Sequence, residues 1–117
     1  MLDPNVHAAM LRIAADVRKR GIPFRVTSTY RSFDQQDRLY RAWLARGKRG
    51  LPAARPGLST HEYGAAFDAA FPASRTSEVV AIARAHGLVW FGKADPVHFD
   101  VFGSRRWNEL LRAAGLI

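Results

Sequence analysis

The sequence predicts an α+β fold: a largely antiparallel four-stranded sheet with about four helices and a metal site on one sheet face. Three observations carry this. Four segments place apolar residues at helical spacing between capping residues and glycines, and four short segments are β-branched or aromatic with period-two alternation. The strands are not regularly separated by helices, which favours antiparallel pairing over a parallel, doubly wound sheet. A chain of 117 residues with 48% hydrophobic content is sufficient for one core, so a single domain spanning residues 1–117 is expected.

The elements follow in order. Asp3 before Pro4 is a helix start, Val6, Met10, Ile13, Ala14 and Val17 keep helical spacing, and Gly21 is a stop. Pro23 opens a strand over residues 24–29. Ser32 caps a second helix carrying Leu39, Tyr40, Trp43 and Leu44, with Gly47 at its end. Residues 47–58 hold three glycines, two prolines and three basic residues, the composition of a mobile surface loop that rims a site. Residues 65–71 form a strand with Phe67, Ala69 and Phe71 on one face and Ala66, Asp68 and Ala70 on the other. A third helix runs from about Ser77 to His86, strands follow at residues 88–90 and 97–102, and Ser104 caps a last helix through Trp107, Leu110 and Leu111.

Composition excludes several classes. No stretch approaches the roughly 20 apolar residues of a membrane span, and none has the layout of an export signal. The expectation is a protein made in the cytoplasm that reaches its substrate after release. There are no cysteines, so disulfides and thiolate metal sites are excluded, and any bound metal must be held by His, Asp, Glu or water. The formal charge of +8, from 18 Lys and Arg against 10 Asp and Glu, predicts a positive surface drawn to polyanions such as nucleic acid, anionic lipid or an anionic cell envelope. Charge kept only for solubility explains it equally well.

Chemistry concentrates in residues 59–68 and 95–100. In the later segment Val97, Phe99 and Val101 alternate with His98 and Asp100. If Phe67, Phe71 and Phe99 face the core, Asp68 and His98 project together from the opposite sheet face. With His61 they make two imidazoles and one carboxylate, a usual ligand set for catalytic zinc, which keeps a position open for water. Asp95 lies three residues before His98, with Pro96 restricting the turn, and is placed to act as general base. Ser59 either hydrogen-bonds substrate or caps the turn before His61. Glu62 and Asp100 are candidates to orient imidazoles, though solvation explains them as well. His7 and His86 read as structural, and Trp90 as core.

These segments resemble the zinc peptidases that include D-alanyl-D-alanine carboxypeptidases, vancomycin-resistance dipeptidases and phage L-alanyl-D-glutamate endolysins. The matching pattern is Ser59, His61 and Asp68, then Asp95 three residues before His98, with Tyr30-Arg31-Ser32 and Gln36 upstream. The resemblance covers roughly residues 24–102. It implies zinc on His61, Asp68 and His98, Asp95 as base, and Arg31 near the substrate to stabilise negative charge or bind a carboxylate, with Tyr30, Gln36 and Ser59 on the substrate side. Asp95, where some members have Glu, resembles the endolysin-like branch and leans the reading toward the L-Ala-D-Glu bond of peptidoglycan stem peptide, with D-alanyl-D-alanine carboxypeptidase as the alternative. A monomer without a stable nucleic-acid partner is expected. Two readings of other classes compete: a basic nucleic-acid-binding module, which leaves the metal pattern unexplained, and a zinc-binding domain without catalysis, against which Asp95 argues.

Overall fold

A computed structural model describes all 117 residues. Helix α1, Pro4–Lys19, starts as the sequence predicts: the Asp3 carboxylate accepts from the N–H groups of Asn5 and Val6, two of the donors that a helix start leaves unpaired. Strand β1 (Arg25–Ser28) leads to α2 (Phe33–Ala45), where Ser32 and Gln35 form a reciprocal capping box. Then come a 3₁₀ turn at Thr60–Tyr63, β2 (Ala66–Ala70), α3 (Thr76–Ala85), β3 (Val89–Trp90), β4 (His98–Asp100) and α4 (Gly103–Ala113).

The sheet has the order β1-β2-β4-β3, and every neighbouring pair is antiparallel. All four predicted strands and all four predicted helices are present, and the period-two reading of β2 and β4 holds. Phe67, Ala69 and Phe99 are fully buried on the face that α1 and α3 cover, and the Phe67 and Phe99 rings stack with centroids 5.3 Å apart. Burying a side chain of this size contributes about 1.5–3 kcal/mol, so the strand faces are locked and a one-residue slip is strongly disfavoured. Trp90 packs partly buried against this core, with its indole N–H donating to Pro96 O at 2.9 Å. His86 links α3 to α1 through a 2.7 Å contact with Asp16, the structural role expected of it.

The start of α4 corrects one expectation. Ser104 is not the cap, because the helix begins at Gly103 and its first free N–H groups are met from within the sheet. Asp100 Oδ1 accepts from Phe102 N at 2.9 Å and Gly103 N at 2.6 Å. The last strand therefore ends two residues earlier than residue 102 and hands directly into the helix. Helix α2 stands apart from the core: Gln36 is its one buried residue, while Leu39 and Trp43 line a cavity on the open face of the sheet.

Candidate metal centre and catalytic cavity

Three elements converge on the uncovered sheet face. In the β2–β4 ladder Asp68 lies directly opposite His98, and Ala66 opposite Asp100, so the register places the Asp68 and His98 side chains next to each other. His61 arrives from the 3₁₀ turn. Ser59 Oγ accepts from His61 N at 3.3 Å, Glu62 closes the capping box, and Gly64 ends the turn at φ 70°, a left-handed conformation suited to glycine. A Cβ at Gly64 would collide with the Met1 carbonyl, so the turn is also wedged against the N-terminus.

Each imidazole has one nitrogen committed elsewhere. His61 Nδ1 donates to Thr29 O at 2.7 Å, a carbonyl that can only accept, which leaves Nε2 as a lone pair facing the site. His98 Nε2 lies 2.7 Å from Asp100 Oδ2 and 3.0 Å from Thr60 Oγ1, which leaves Nδ1 facing the same point. The resulting triangle has edges of 3.0 Å (His61 Nε2 to Asp68 Oδ1), 3.1 Å (His61 Nε2 to His98 Nδ1) and 3.2 Å (His98 Nδ1 to Asp68 Oδ1). Two imidazole lone pairs this close repel unless a cation or a proton lies between them. Tetrahedral ligands at about 2.0–2.1 Å from an ion sit about 3.3 Å apart, so the triangle fits one face of such a site. His61, Asp68 and His98 can hold a metal ion.

Electrostatics agree with cation binding. Burial opposes ionisation of Asp68, but hydrogen bonds and charge from His61 and His98 outweigh it and hold the carboxyl well below its ordinary range. Burial likewise opposes charge on His98, but Asp100 and then Asp68 push it up to about 9 in the metal-free protein. Below that pH an incoming metal must displace a proton, so its affinity rises with pH toward 9.

Arg31, between β1 and α2, completes the support of Asp68. Its Nη2 donates to Asp68 Oδ2 at 2.9 Å, its Nη1 to Gln36 Oε1 at 3.3 Å and its Nε to Ser28 Oγ at 3.1 Å. Oδ2 is thus engaged while Oδ1 faces the imidazoles. Gln36 is 1% exposed, and its amide also donates to Ala54 O at 2.9 Å, tying α2 and the 47–58 loop to this network.

Asp95 lies at the rim of the triangle, its Oδ2 4.0 Å from His98 Nδ1, beyond hydrogen-bonding range. Its carboxylate has no hydrogen-bond donor within the chain. Burial, and then the negative charge of Asp68, push its carboxyl above the ordinary value, in the direction of a better proton acceptor. Asp95, Arg31, Gln36, Ser59, His61, Asp68 and His98 all line one cavity of about 540 Å³. Tyr30 does not: it is 41% exposed and stands outside that lining.

Sequence reasoning left Asp100 undecided and did not single out Thr60. Both are buried, and both touch His98. The alternation His98-Phe99-Asp100 was the available signal for Asp100, since residues two apart on a strand share a face. Glu62, the other candidate to orient an imidazole, instead accepts from the backbone of Gly57 and Ser59. Asp100→Asn keeps the shape but weakens the acceptor that fixes His98. Metal affinity should fall about 10- to 100-fold by competition titration, and unchanged affinity would mean that Thr60 alone sets the ring.

A two-histidine, one-carboxylate centre with a carboxylate beside it, on the open face of an antiparallel sheet, defines the class as a metallopeptidase-like site. Residues 1–93 match the family model for D-alanyl-D-alanine carboxypeptidase, VanY, and the chain belongs to that family. It is by class a peptidase directed at cell-wall peptide. The matched span includes His61 and Asp68 and stops short of Asp95 and His98.

Solved structures share the fold. The LdcB LD-carboxypeptidase superposes with TM-score 0.74 at 21% identity, over 97% of this chain and 71% of that one. The D,D-pentapeptidase VanY of the VanB-type resistance cassette, an E175A mutant in complex with Zn(II), gives 0.75 at 16%, over 95% and 78%. The L-Ala D-Glu endopeptidase ChiX of Serratia marcescens gives 0.59 at 19%, over 85% and 79%. No curated protein sequence matches the chain.

Proposed function

We propose that this protein is a zinc-dependent endopeptidase that hydrolyses the L-alanyl-D-glutamate bond of peptidoglycan stem peptide. The observation that carries the reading is the donor triangle of His61, Asp68 and His98 with the unpaired Asp95 carboxylate at its rim. Zinc held there would supply Lewis acidity, polarising the scissile carbonyl and making water a stronger acid.

The remaining work falls to the chain's own residues. Asp95 takes the proton of the attacking water and passes it to the departing amide nitrogen. Arg31 holds Asp68 through one N–H, and its positive charge in the same cavity stabilises negative charge developing on the carbonyl oxygen. Asp100 and Thr60 keep His98 in the tautomer that leaves Nδ1 free. Ser59 and Gln36 contribute polar atoms to the cavity wall while also bracing the 3₁₀ turn and Arg31. The chain would act as a monomer on the cell wall after release from the cytoplasm, and its +8 charge favours approach to an anionic envelope.

An aspartate as base favours the endopeptidase; the family model's description favours a D-alanyl-D-alanine carboxypeptidase as the second reading. Mass spectrometry of purified peptidoglycan fragments after digestion separates them, because the new termini identify the bond. Peptides beginning with D-Glu are expected. Products that lack only a terminal D-Ala would replace the endopeptidase by the carboxypeptidase.

A further inference from the structure

Three arginines line the catalytic cavity: Arg31, Arg46 and Arg55. Arg31 is engaged by Asp68, Gln36 and Ser28, and Arg46 Nε donates to Arg49 O at 3.2 Å. Arg55 has neither an ion-pair partner nor a side-chain hydrogen bond within the chain. Each lining acid already has a task, since Asp68 meets Arg31 and the imidazoles, Asp100 meets His98 and the start of α4, and Asp95 faces the triangle. Arg55 is thus an exposed guanidinium that lines the cavity with neither a counter-charge nor a hydrogen bond within the chain.

The backbone that carries Arg55 is held from both sides. Ala54 O accepts from the buried Gln36 amide at 2.9 Å, and Arg55 O accepts from Leu58 N at 3.0 Å. Gly57 N donates to the Glu62 carboxylate at 2.7 Å, and the Tyr63 hydroxyl donates to Gly57 O at 2.8 Å. Pro56 removes one more degree of freedom. Gln36 also holds Arg31, so one buried amide joins the support of the metal centre to that of this cation. The Arg55 side chain is exposed, but its backbone is braced, so less ordering is needed when it takes a ligand.

We propose that Arg55 is a specificity-determining residue that takes the free α-carboxylate on the substrate residue supplying the leaving nitrogen. This rests on the peptidase reading above. In a stem peptide whose D-Glu is linked through its γ-carboxyl, that residue keeps an α-carboxylate next to the scissile amide. A planar guanidinium pairs with it through two parallel N–H donors.

The test uses the zinc-loaded protein and two synthetic peptides, L-Ala-γ-D-Glu-L-Lys with a free α-carboxylate and the same peptide with that group as its amide. The wild type should favour the acid by about tenfold or more in kcat/KM, mainly through KM, as expected for a hydrogen-bonded charge pair. R55Q should slow on the acid to the rate of the amide, keeping its zinc and its rate on the amide; R55K should restore part of the preference. An indifferent wild type, an R55Q that keeps the preference, or an R55Q that slows equally on both peptides would overturn the proposal. Cleavage of neither peptide by the wild type would instead remove the endopeptidase reading, and the role of Arg55 with it.

Discussion

Asp95→Asn should lower the rate of peptide hydrolysis by about 10²- to 10⁴-fold and leave zinc bound, because a positioned general base typically contributes that much. The amide keeps the size of the carboxylate and its place in the turn, where Asp95 N donates to Gly92 O and His98 N to Asp95 O. What it lacks is the capacity to accept a proton. Zinc should stay, because Asp95 Oδ2 stands 4.0 Å from His98 Nδ1 while the three donors lie within 3.2 Å of one another. Steady-state rates with metal analysis check both halves. Full activity in this variant would place the base elsewhere, with Glu62 next to be tested, although its carboxylate is engaged by Gly57 and Ser59.

His98→Ala should abolish metal binding, with a loss of activity greater than the roughly 10- to 100-fold attached to an orienting partner. It removes one of three donors and the group that Asp100 and Thr60 hold. Folding should survive. The His98 side chain stands on the sheet face opposite Phe67 and Phe99, and Asp100 keeps its bonds to Phe102 N, Gly103 N and the Thr60 hydroxyl, so the start of α4 stays capped. Circular dichroism and thermal melting compared with metal-free wild type separate loss of metal from loss of structure. Wild-type zinc affinity in this variant would show that the donor set is wrong.

How far this site was legible differs from residue to residue. Strand side chains alternate with period two, so once Phe67 and Phe99 belong to the core, Asp68, His98 and Asp100 must share the other face. Asp95 followed from chain proximity alone. Contacts across long separations did not show: His61 Nδ1 meets a carbonyl 32 residues away, and Arg31 meets Asp68 37 residues away. A motif could associate Arg31 with the site without saying that it grips Asp68. Gln36 resembled a substrate contact and is also a buried brace, since both ends of its amide are used within the chain. Ser104 had the right chemistry for a cap, but a buried carboxylate from the preceding strand reached those N–H groups first. Backbone donors are satisfied by whatever acceptor the tertiary fold brings, and local sequence cannot see it.

Zinc content per chain, measured side by side in wild type, D95N and H98A after identical purification and zinc loading, tests the central assignment most directly. The expected stoichiometries are one, one and none, with full activity only in the first. Zinc lost from D95N would make Asp95 a ligand and displace one of His61, Asp68 or His98; active wild type without zinc would contradict the account as a whole.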